Sequence, residues 1–132
     1  MSEFNNVEKI LAIYFDKLPE PNSNWPQKVQ RVVNCIHSHQ FDAGMTVRKL
    51  KQKCIINEGN FSAIFKYYVG LSPKQYIIKH RIAAACRLLK RVPTEYPILH
   101  VALAVGFSSH SAFSRTFKRR KGVTPSEFRR QS

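Results

Sequence analysis

The sequence predicts an all-α fold, and three observations carry that expectation. Apolar residues recur at helical spacing along most of the chain, no segment shows a convincing run of period-two alternation, and one helical motif occurs twice. The organisation read from these is an N-terminal amphipathic helix with its linker over residues 1–25 and a first helical unit over 26–71. A connecting helix over 72–92 then leads to a second unit over 93–132.

The elements follow in order. Val7, Ile10, Leu11 and Tyr14 fall at i, i+3, i+4 and i+7, with Phe15 and Leu18 widening the stripe, and Pro19 closes the helix. After the loop from Pro21 to Pro26, the same spacing returns at Val29, Val32, Val33 and Ile36, giving a helix that ends near Gln40. A turn around Asp42, Ala43 and Gly44 leads to Thr46, an N-cap for a short helix carrying Val47, Leu50 and Cys54.

Residues 61–76 and 113–128 are then related at a constant offset of 52, with Phe, Ser, Phe, Lys, Gly and Pro identical and four further positions matched in kind. In each copy a helix places Phe61, Ile64 and Phe65, or Phe113 and Phe117, on its core side. Gly70 and Gly122 stop it, since glycine takes the left-handed conformation freely. A new helix starts at once: Ser72-Pro73-Lys74-Gln75 and Thr124-Pro125-Ser126-Glu127 are capping boxes with proline at the first helical position. The first restarted helix runs from Pro73 to about Arg91, the second to about Arg130. Ahead of the second copy, a short helix from Ile98 to Val105 meets a tight turn at Gly106. A polar helix start at Ser109-His110 follows. Small Ala102 four positions before the turn glycine lets two short helices cross closely, the arrangement in which the second helix enters a DNA major groove.

Charge agrees with that reading. Lys and Arg number 22 against 8 Asp and Glu, a net charge of +14. Residues 1–45 carry four basic and five acidic side chains, while residues 46–132 carry 18 basic and three acidic. A field sorted in this way suits a polyanion, because counterion release makes phosphate contact a main source of nucleic-acid affinity. Charge alone leaves an RNA-binding or membrane-surface role open.

The stretch from Gly106 to Arg129 resembles the signature of AraC/XylS-type transcription regulators, and Arg81 to Leu89 is similar to the helix joining their two helix-turn-helix units. The resemblance covers about residues 26–130. It implies a seven-helix domain whose two recognition helices occupy successive major-groove segments of double-stranded DNA at non-palindromic sites. It also implies activation through contact with RNA polymerase. The first unit departs from the pattern: Lys51 stands where a small residue is expected, and Ile55 where the turn has glycine. Its recognition helix is expected from Asn57 through Lys66, with Gly59, Ser62 and Ala63 facing the bases. Glycine and alanine offer no side-chain donor, so the expected reader is asymmetric. The first unit contributes phosphate contacts and modest readout through Asn57, Asn60 or Ser62. The second unit dominates through His110, Ser111, Ser114 and Arg115.

Arg115 is the strongest base-contact candidate: it sits two residues from each core phenylalanine, and its guanidinium fork matches guanine O6 and N7. Ser109 is the expected N-cap and a phosphate contact. The run Lys118-Arg119-Arg120-Lys121 suits phosphate as well as a helix C-terminus, with Lys118 and Arg119 taken as phosphate contacts. Lys66, Arg129 and Lys53 are weaker candidates, and Arg81 and Arg87 are equally read as surface residues.

Enzymatic chemistry is not expected, because the basic region holds no paired carboxylates, nucleophile constellation or glycine-rich phosphate loop. No cofactor or metal is expected either: His37 and His39 project about 200° apart on a helix. Cys35, Cys54 and Cys86 read as reduced core thiols of a cytoplasmic, nucleoid-associated protein. No leader or membrane-spanning run is legible, so no membrane partner is expected. Residues 1–45 are too few for the β-barrel sensor domain common among the regulators resembled. No small-molecule ligand is therefore expected on this chain, which reads as a stand-alone regulator or a fragment of a longer one. The N-terminal helix either packs on the domain or serves as an interface. The competing readings are a nonspecific nucleic-acid binder and a protein-interaction module.

Overall fold

The computed structural model describes residues 3–42, 44–56 and 60–131. Among the described residues there are eight helices and no strand: α1 (Glu3–Asp16), α2 (Gln27–His39), α3 (Val47–Lys53), α4 (Phe61–Val69), α5 (Pro73–Arg91), α6 (Ile98–Ala104), α7 (His110–Lys121) and α8 (Pro125–Gln131). The all-α expectation holds. None of these helices is long and apolar enough to cross a membrane.

The helix starts form as the residues dictate. Thr46 Oγ1 accepts the Lys49 amide at 3.1 Å. Both capping boxes close: Ser72 Oγ accepts from the Gln75 amide while Gln75 Oε1 accepts from the Ser72 amide, and Thr124 and Glu127 exchange the same two bonds. Gly70 and Gly122 end α4 and α7 in the left-handed region, at φ 94° and 81°.

Two apolar cores result. Val29, Val32, Val33, Ile36, Leu50, Ile56, Phe61, Phe65 and Ile77 form the first. Ile82, Ala84, Ala85, Leu88, Leu89, Val101, Val105, Phe113 and Phe117 form the second, and Val7 and Tyr14 of α1 join it. Helix α5 serves both, giving its first turns to one core and the rest to the other. The α1 stripe packs against α5, but Phe15 lies at the stripe's edge and is exposed. Tyr14 also pins α1 through polar contact: its hydroxyl lies 2.7 Å from His80 Nδ1, while His37 Nε2 lies 2.6 Å from the Tyr76 hydroxyl. Burial and the neighbouring His37 and Lys79 push His80 down to about 4, and burial lowers His37 as well.

Three expectations need correction. Arg81 is only 2 % exposed. It donates to the carbonyls of Gln40 (2.7 Å) and Met45 (2.6 Å) at the first unit and of Gly106 (3.1 Å) at the second. The two terminal nitrogens find these acceptors while buried Nε has none; charge-assisted bonds sustain a buried guanidinium, and burial lowers it only to about 10, so it stays charged at neutral pH. Cys35 and Cys54 are disulfide-paired rather than reduced, with Cα atoms 5.7 Å apart; Cys86 alone is a free thiol. Finally, Ile64 does not join the core: it is 44 % exposed, because Phe61 and Phe65 define the buried side of α4 and Ile64 projects well away from it.

Candidate nucleic-acid interface

Helices α3 and α4, and again α6 and α7, are joined by matching turns. The Ile55 amide donates to Gln52 O and the Ile56 amide to Lys51 O. In the second unit Gly106 donates to Leu103 O and Phe107 to Ala102 O. Over these turns the repeat runs at an offset of 51 and from Phe61 onward at 52, so the second unit has one more residue between its turn and its first core phenylalanine. Gly106 takes φ 100°, and a Cβ there would lie 2.5 Å from Arg81 Cζ. Ile55, its counterpart, takes φ 56°, a conformation disfavoured for a β-branched residue. Lys51 is half-buried where Ala102 is fully buried. Both departures seen in the sequence thus fall at the first unit's turn, Ile55 within it and Lys51 as the acceptor of the Ile56 amide.

Helix α7 has one buried and one open side. Phe113 and Phe117 are fully buried, and Arg115, between them in sequence, is exposed on the opposite side. His110 and Ser111 are exposed in the first turn, and half-buried Ser114 lies one turn on, its Oγ 3.4 Å from His110 Nδ1. Ser109 is the N-cap: its Oγ accepts the Ala112 amide at 3.1 Å, which leaves the hydroxyl proton to donate elsewhere. Lys118, Arg119, Arg120 and Lys121 form an exposed cationic last turn, and an Arg120 guanidinium nitrogen approaches Gln75 O at 3.5 Å. Arg129 is differently engaged: half-buried on α8, it donates to Tyr96 O at 2.6 Å and secures the segment between α5 and α6.

The first unit's counterpart helix is described from Phe61 on. Asn57 and Gly59 lie outside the described residues, and α4 begins at Phe61, running past Lys66 until Gly70 stops it. Asn60 stands at the N-cap with an exposed side chain that makes no capping bond. Ser62 is half-buried, while Ala63 and Lys66 are exposed. Tyr67, which the sequence reading passed over, is 80 % exposed on this same helix. Its alignment with Arg119 in the repeat was the signal that could have found it.

The metal alternative separates in space: His37 stacks on Tyr76, while His39 pairs with Asp42 at 2.8 Å.

Comparison with known proteins shows the family and the fold. A helix-turn-helix domain family matches residues 50–131. The Msm operon regulatory protein of Streptococcus mutans is 31% identical over 128 residues, covering 93% of this chain and 45% of that protein. The arabinose operon regulatory protein of Escherichia coli is 31% identical over 126 residues, covering 95% and 42%. The chain therefore spans less than half the length of these curated relatives. Among solved structures, the C-terminal domain of AraT, a response regulator from Geobacillus stearothermophilus, matches with a TM-score of 0.70 at 28% identity, over 83% of this chain and 89% of that one.

Proposed function

Because this chain belongs to the AraC-type helix-turn-helix family, we propose that it is a sequence-specific double-stranded DNA-binding transcription regulator reading successive major-groove segments, with the second unit dominant. One observation carries the proposal. Helix α7 turns its phenylalanines inward and presents Arg115, with His110 and Ser111, on an open face that ends in four cations.

In this reading Arg115 takes a guanine by its bidentate fork, and His110, Ser111 and Ser114 contact neighbouring base edges. Ser109, Lys118 and Arg119 hold the phosphates on either side, fixing register without carrying sequence information. The first unit adds Asn60 and Ser62 at the bases and Lys66 at a phosphate. Arg129 keeps only the donors that Tyr96 does not take. Activation through RNA polymerase is the sense of regulation carried over with the family.

Selection of binding sites from a random duplex library, followed by titration against scrambled duplex over a range of salt, tests the proposal. The expected outcome is a motif of about one and a half to two helical turns, sharply defined in one half, with a steep salt slope. Equal binding to any duplex, or to RNA, would refute it.

A further inference from the structure

Helix α4 is unlike α7 in one respect that its missing polar groups do not explain: its open face is apolar. At the repeat offset of 52, Ala63 and Tyr67 occupy the helical positions that Arg115 and Arg119 hold on α7. Both lie opposite buried Phe61 and Phe65. Beside them Ile64 is 44 % exposed, and Phe61, Ala63, Ile64, Tyr67 and Tyr68 help line an open groove of about 790 Å³.

The surroundings identify what the face meets. Lys66 flanks it on α4, and Lys28, whose Nζ lies 5.1 Å from the Phe61 ring, lines the same groove. An apolar strip inside a cationic frame complements a floor of base edges between two phosphate walls. In the major groove, the apolar group that base edges offer is the C5-methyl of thymine.

We infer that the first unit is a thymine reader: Ala63 and Tyr67, extended by Ile64, pack against thymine C5-methyl groups in the half-site that α4 enters. This rests on the DNA reading proposed above, and it adds a specific apolar contact to the polar ones of Asn60 and Ser62. Ala63 supplies a methyl small enough to let the helix sit deep, and Tyr67 covers the neighbouring step.

The test uses the whole chain and the duplex obtained by selection. The half-site of the second unit is the one where Arg115→Ala relaxes preference; the other belongs to α4. In that half, each thymine is replaced singly by deoxyuridine, which removes the methyl and leaves base pairing intact. Burial of one methyl predicts about a three- to fourfold loss of affinity at one or two positions. Ala63→Ser and Tyr67→Gln, exposed substitutions checked for unchanged helicity by circular dichroism, should abolish that loss at their own thymine while leaving the second half-site's profile intact. A selected motif whose first half tolerates deoxyuridine everywhere overturns the inference and leaves the DNA reading standing. Deoxyuridine sensitivity unchanged in both variants overturns it too. Failure to select any motif overturns the DNA reading itself.

Discussion

Replacing Arg81 by methionine should both weaken the fold and uncouple its halves. The guanidinium makes three charge-assisted hydrogen bonds, two to carbonyls at the end of the first unit's α2 and its following turn and one to the second unit's turn. Methionine fills most of the volume, so the loss isolates the polar contacts. Three carbonyls lose their donor, partly offset by no longer burying a charge; removing one side of such a buried arrangement costs about 3–5 kcal/mol. With a urea slope of about 2 kcal/mol per molar, the midpoint should fall by about 1.5–2.5 M. The single tryptophan, Trp25, packs against the first core, so its fluorescence follows that unit while far-UV circular dichroism follows all the helices. In the parent protein the two transitions should coincide; in Arg81→Met the fluorescence transition should separate from the dichroism. A midpoint shift under about 0.5 M, with the transitions still coincident, would refute the coupling role.

Four further outcomes are expected. Gly106→Ala should destabilise by about 2–3 kcal/mol, from the left-handed backbone and the collision with Arg81, and part of that penalty should vanish in the Arg81→Met background, a coupling that a double-mutant cycle reads directly. Ile55→Gly should stabilise by about 0.5–1 kcal/mol, because relief of φ 56° exceeds the added freedom of the unfolded chain; a lower urea midpoint would contradict this. His80 falls to about 4 in the fold, so between there and its ordinary value of 6.5 the unfolded chain binds a proton that the folded chain refuses. Stability should be complete above pH 6.5 and fall by about 2 kcal/mol as pH drops towards 4, a figure discounted for partial exposure, and His80→Gln should flatten the profile. On selected duplex, Arg115→Ala should relax preference at one base pair by about 1–3 kcal/mol, whereas Lys118→Ala should weaken all duplexes alike and reduce the salt slope by about one; identical profiles for the two would overturn the division of roles.

The helices were legible because their signals are local. Capping boxes, stop glycines and 3.6-residue periodicity act within a few residues, and α5 spans the stretch those signals mark. The doubled motif likewise made Arg115 readable as exposed, since two buried phenylalanines flank it. Contacts between distant segments were hidden. Arg81 looks like any cation on a helix until three backbone carbonyls from elsewhere close around it. Cys35 and Cys54 stand 19 residues apart in different helical patterns, and only the crossing of α2 and α3 brings them together. Ile64 is exposed for another reason: hydrophobicity alone does not dictate burial, and its polar counterpart Thr116 marks a position away from the core side.

The boundary between the two cores falls inside one unbroken helix, between Ile77, which packs in the first, and Ile82, which packs in the second. Arg81 sits at that seam. If the two units read DNA as proposed, the protein would act as a ruler: neither unit could shift against the other without bending α5 or exposing a buried cation. An added base pair between the half-sites would displace one by about 3.4 Å and rotate it by about 35°, and a rigid ruler has no means of following. On the proposed DNA reading, spacing in the operator would then be part of the recognition code, enforced by a residue that need never touch DNA.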